Sequence, residues 1–98
     1  MNIEKVVNVS DLTLKLVGRL DTTTAPNLET VIDESFDGIK TLVFDLADLE
    51  YISSAGLRVI LKAQKIMNNQ GSMKLINVNE SIMEIFDITG FVDILTIE

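Results

Sequence analysis

Residues 41–61, TLVFDLADLEYISSAGLRVIL, change their apolar period midway, and that change decides the fold. Thr41 to Leu46 is a near-continuous apolar run, the pattern of a strand covered by neighbours. From Ser54 onward the spacing is helical. Leu57, Ile60, Leu61 and Gln64 share a stripe widened by Val59, Ala63, Ile66 and Met67, while Arg58, Lys62, Lys65 and Asn69 form a polar stripe. The pattern predicts an interior strand, a short link and an amphipathic helix over 54–69, closed by Gly71.

Working outward, the same two periods recur. Ile3, Lys5 and Val7 alternate, residues 8–11 turn, and Leu12, Leu14 and Leu16 alternate again. Such one-sided strands predict an antiparallel pair with one face covered. Thr22, Thr23 and Thr24 before Ala25-Pro26 predict a helix with a hydroxyl cap and Pro in its first turn. Leu28, Val31, Ile32, Ser35 and Phe36 mark its inner face, and Glu29, Asp33 and Asp37 its solvated one. Met73 to Val78 reads as a strand, Asn79 as the cap of a third helix ended by Gly90, and Phe91 to Ile97 as a final short strand. The order is ββαβαβαβ. It predicts an α/β domain over 1–98, with a mixed, mostly parallel sheet, an antiparallel N-terminal edge strand and packed helices.

Composition narrows the chemistry. The chain has 98 residues, no His, no Cys and a net charge of −7. Disulfides, thiol nucleophiles and the usual transition-metal ligands are therefore missing, and a serine nucleophile would lack an imidazole. The acidic balance argues against nucleic-acid binding, and no apolar run is long enough to span a bilayer. The expectation is a cytoplasmic, monomeric protein without metal, cofactor or catalytic residues.

Two segments fall at the carboxyl ends of parallel strands, where ligands of open α/β sheets gather. They are Gly18-Arg19-Leu20-Asp21-Thr22-Thr23 and Tyr51-Ile52-Ser53-Ser54-Ala55-Gly56-Leu57. The second sets two hydroxyls, a small residue and a glycine at a helix entrance. Either serine can cap that helix. A phosphate on one of them would also suit a helix N-terminus, with Arg58 a turn away from Ser54 to pair with it. Asp48 and Glu50 read as solvated, and Asp45 as ordering the loop beside Ser54. Lys62 and Lys65 lie two or more turns from Ser54, too far to activate it.

The chain resembles the STAS domain family, and within it the bacterial anti-sigma factor antagonists. The resemblance rests on Gly18-Arg19-Leu20-Asp21, on Leu42 to Leu46, on Leu49 to Leu61 and on Phe86-Asp87-Ile88-Thr89-Gly90-Phe91. It implies a protein whose unmodified form binds an anti-sigma factor serine kinase and frees the sigma factor. Phosphorylation releases the partner, and a serine phosphatase resets the cycle. The family motif runs Asp, phosphorylated Ser, Ser/Thr/Ala, Gly, Leu, Gly. It implies Ser54 as the acceptor, with Ser53 at the position usually held by Asp and as the alternative acceptor, and Arg58 at that of the second Gly. Asp21 matches a partner-contacting position. The implied binding set is Asp21, Thr22, Ser53, Ala55, Gly56, Leu57 and Arg58, centred on Gly56 and Leu57. The alternative is a STAS subunit of a lipid-transport or signalling complex, with Ser54 only a structural cap.

Overall fold

The leucine alternation at 12, 14 and 16 builds one face of a four-stranded sheet. The computed structural model describes residues 1–98. Its elements are β1 (Asn2–Asn8), β2 (Asp11–Leu20), α1 (Ala25–Ser35), β3 (Thr41–Ile52), α2 (Ser54–Gln70), β4 (Ser72–Ile76) and α3 (Glu80–Thr89), followed by a 3-10 turn at Phe91–Asp93. The strands lie in chain order, β1 antiparallel to β2 and the others parallel. This is the mixed α/β architecture that the sequence implies.

Register explains the core. Leu12 pairs with Leu42 and Leu14 with Phe44, and Leu42 and Phe44 pair in turn with Met73 and Leu75. These side chains form one apolar layer. Leu28 and Ile32 of α1, Ile60, Ala63 and Met67 of α2, and Ile82 and Phe86 of α3 join them in a single buried cluster. The other face carries the rows Thr13–Val43–Lys74 and Lys15–Asp45–Ile76, all only half-buried. Burying a leucine or phenylalanine contributes roughly 1.5–3 kcal/mol, so the covered face carries most of the stability.

Three elements differ from the sequence expectation. First, β3 continues beyond Leu46 to Ile52, so the presumed link is strand. The register with β2 slips between Lys15 and Val17 and again between Gly18 and Arg19. Each bulge inserts an extra residue, so Leu46, Leu49 and Ile52 face the core at intervals of three and the period of two is lost.

Second, Gly71 has extended backbone, φ 179°, so it does not close α2 by a left-handed turn. A Cβ there would lie 1.9 Å from the Lys40 carbonyl oxygen, and glycine permits that approach. Third, the final strand reduces to a single parallel bridge between Ile97 and Leu75. Gly90, at φ 79°, caps α3 in the left-handed region and turns the chain into a tight coil. There Ile94 and Leu95 donate to the Phe91 carbonyl instead of pairing with a strand. No helix is long and apolar enough to cross a membrane.

Candidate functional site

Strands β2 and β3 run parallel and finish level. Leu20 pairs with Ile52, and the Ser53 N–H donates to the Leu20 carbonyl at 2.8 Å. The segments that follow, 21–24 and 53–57, therefore emerge side by side.

Asp21 organises the first. Its Oδ1 accepts from the backbone N–H groups of Thr23 at 3.0 Å and Thr24 at 3.1 Å. Its own N–H donates to Thr24 Oγ1 at 2.8 Å, and that hydroxyl donates to the Arg19 carbonyl at 2.8 Å. The expected threonine cap is thus corrected. Thr24 occupies the N-cap position of α1, but its hydroxyl points back into the turn and makes no capping bond. Hydrogen bonds from the Thr24 amide, and then the Thr23 amide, hold the Asp21 carboxyl below the ordinary aspartate range, helped by the nearby Arg19. Arg19 lies 4.4 Å from the centre of the Tyr51 ring, its cross-strand neighbour.

In the second segment Ser53 is the cap. Its backbone is extended, and its Oγ accepts from the Gly56 N–H at 3.2 Å. Ser54 begins the helix proper, is exposed and has no side-chain hydrogen bond within the protein. The reading of Ser54 as a structural cap is corrected accordingly: the neighbouring hydroxyl already holds that amide. A Cβ on Gly56 would lie 2.7 Å from Leu20 Cγ and 3.0 Å from Ile52 Cγ1, so glycine lets α2 start directly on the strand ends.

The implied binding set divides by exposure. Gly56 and Leu57 are buried and hold the helix entrance from below, so they do not form the centre of a contact surface. Thr22, Ser54 and Arg58 are exposed, and Asp21, Ser53 and Ala55 are half-buried. Thr22, Ala55 and Arg58 meet across a groove of about 250 Å³ that is completed by Ala25, Pro26, Glu29 and Val59. Sequence gives those last four only structural roles, and the α1–α2 packing brings them to the groove. Arg19 and Tyr51 lie in the two strand-end segments read from the sequence, and the β2–β3 pairing sets them side by side.

The polar stripe of α2 is partly neutralised. Lys62 Nζ lies 3.1 Å from Glu29 and 3.0 Å from Asp33, so these two acids of α1 are ion-paired rather than simply solvated. The Asp33 hydrogen bond, then that of Glu29, raises the Lys62 pKa. Asp45 is also relocated. Its Oδ1 accepts from the Ala47 N–H and from Asn77 Nδ2, both at 3.1 Å, which pins the first bulge and leaves the Ser54 loop untouched. Asp48 is not merely solvated either; it binds Lys15 at 3.1 Å and raises that lysine's pKa through the hydrogen bond.

A wider cavity of about 780 Å³ opens along the bulged strand, lined by residues 17–18, 47–50 and 79–81. No group of three or more acidic side chains is arranged to hold a metal ion. Chemically, the Ser54 region offers a free primary hydroxyl, a free guanidinium and no base positioned to activate the hydroxyl.

The model of the STAS domain family matches residues 2–98. An anti-sigma-B factor antagonist of Bacillus subtilis is 33% identical over 98 residues, covering 99% of this chain and 90% of that protein. Among solved structures, an anti-sigma factor antagonist from Mycobacterium paratuberculosis superposes with a TM-score of 0.88 at 20% identity, covering 98% of this chain and 83% of the other. The Bacillus cell fate determinant SpoIIAA in its phosphorylated form gives 0.77 at 18% identity, covering 99% and 91%.

Proposed function

This chain belongs to the STAS domain family, and from that premise we propose that it is an anti-sigma factor antagonist switched by phosphorylation of Ser54. In its unmodified form it binds an anti-sigma factor that is also a serine kinase, and so frees a sigma factor. The observation that carries this reading is the division of labour between the two serines. Ser53 Oγ is committed to the Gly56 amide, while Ser54 Oγ is exposed and free.

The kinase transfers the γ-phosphoryl group of ATP to Ser54 Oγ. The new O–P bond replaces the bond to the β-phosphate, ADP leaves, and the hydroxyl proton passes to the kinase. The product carries about 1.5–2 negative charges at a helix N-terminus, which favours anions, so the fold accepts it. A partner packed against that entrance does not. Burying the phosphate costs several kcal/mol, and a loss of 3 kcal/mol already weakens binding about a hundredfold. A phosphatase reverses the change, and the protein itself does no catalysis. The relatives named as antagonists and the phosphorylated state of SpoIIAA support this reading.

Incubation with the cognate kinase and ATP, followed by mass-spectrometric mapping, tests it. Phosphate should appear on Ser54, persist in Ser53→Ala and vanish in Ser54→Ala. The reverse pattern moves the site to Ser53, and absence of any phosphate removes the switch.

A further inference from the structure

Arg58 differs from the other cations near the site. Lys62, one turn further along the same stripe, is held by Glu29 and Asp33, while Arg19 stacks on Tyr51 beside Asp21. Arg58 has no carboxylate within 4.0 Å, although Glu29 lines the same groove, because Glu29 is engaged by Lys62. It stands exposed at the rim of a groove whose apolar lining is Ala25, Pro26, Ala55 and Val59. A free cation beside an apolar groove is complementary to an acidic side chain flanked by apolar ones. Ser54 lies four residues before it, so their Cβ atoms are about 5–6 Å apart on one helix face.

We infer that Arg58 is a shared cation whose two uses exclude each other. In the unmodified protein it receives a carboxylate of the partner seated in the groove; in the protein phosphorylated on Ser54 it turns to the phosphate. The guanidinium fork fits either anion in a bidentate pair. Release then has two parts: the phosphate resists burial, and it also withdraws the arginine that the partner needs. This rests on the phosphorylation reading above, and its first test needs no kinase.

Phosphoserine placed at position 54 during translation gives the modified protein directly. In a phosphorus-31 NMR titration, the second ionisation of the phosphate should fall roughly 0.3–0.7 unit lower in the parent than in Arg58→Gln, with Arg58→Lys between them. Equal midpoints overturn the inference while leaving kinase recognition intact. Conversely, failure of the unmodified protein to bind the kinase leaves the phosphate–Arg58 pair standing but removes the antagonist reading and, with it, the partner use of Arg58. In the binding arm, Arg58→Gln weakens capture of the kinase by the unmodified protein about tenfold. Ser54→Asp costs less on the Arg58→Gln background than on the parent. Strictly additive costs overturn the inference.

Discussion

At the scale of single residues, Asp21 and Ser53 show how two short side chains set the geometry around Ser54. Asp21 accepts from two amides and so fixes the turn between β2 and α1. Those bonds stabilise the carboxylate, and the folded-state pKa is therefore depressed. The sign follows: the contribution is complete above the unfolded aspartate value, near 4, and is lost as the pH falls through the lower folded value. A carbon-13 NMR titration of the Asp21 carboxyl should show a midpoint below that of an ordinary aspartate. Asp21→Asn should remove this part of the acid dependence of stability, and an unshifted midpoint would contradict the hydrogen-bond assignment. Both serines were legible as cap candidates, but their roles were not. Adjacent hydroxyls are chemically equal, and the choice depends on which one keeps extended backbone where β3 ends. The bulges hide that end from a reading by period.

At the scale of elements, α2 is fixed at both ends by places where a side chain has no room. Gly56 rests on Leu20 and Ile52, and Gly71 rests on the Lys40 carbonyl. The latter contact is with backbone, which yields less than the end of a flexible side chain. Gly71→Ala should therefore destabilise the protein by about 2–3 kcal/mol, the upper part of the range for overpacking, measured by urea unfolding. Gly38→Ala is the control: a Cβ there meets nothing within 4 Å, and only its φ of 79° carries a cost. Near-equal losses would show that the chain relaxes around the added methyl and that the Lys40 contact does not govern Gly71. A glycine after an amphipathic run reads naturally as a helix stop, so its presence was legible while its reason was not. The close approach involves residues 31 positions apart. The last strand misled for a related reason, since Phe91 to Ile97 has strand-like composition while Gly90 starts a turn that consumes most of its length. Val9 is a further case. The two-residue connection between β1 and β2 imposes φ 59° on a β-branched side chain, which no local preference foretells.

At the scale of the whole molecule, the proposed switch at Ser54 lies apart from the core. The 23 core residues fill the space between one sheet face and three helices, and their periodicities were readable almost throughout. Charge was less readable. The −7 describes a composition, whereas pairing decides which charges remain available. Lys15, Arg19, Lys62 and Lys74 each have an acidic partner, while Lys5, Lys40, Arg58 and Lys65 do not, and of these four Arg58 alone lines the groove beside Ser54. Ser54 touches this charged surface and adds nothing to the core. A negative charge there should therefore alter binding without loosening the fold. An anion in the first turn of a helix contributes about 0.3–1 kcal/mol, and 1 kcal/mol moves the melting midpoint of a domain this size by about 4–8 °C. Ser54→Asp should consequently melt about 1–8 °C above the parent, with an unchanged circular-dichroism spectrum. A midpoint lowered by several degrees would mean that the charge disturbs packing. Loss of partner binding in that variant would then reflect partial unfolding, and the electrostatic account of the switch would fail.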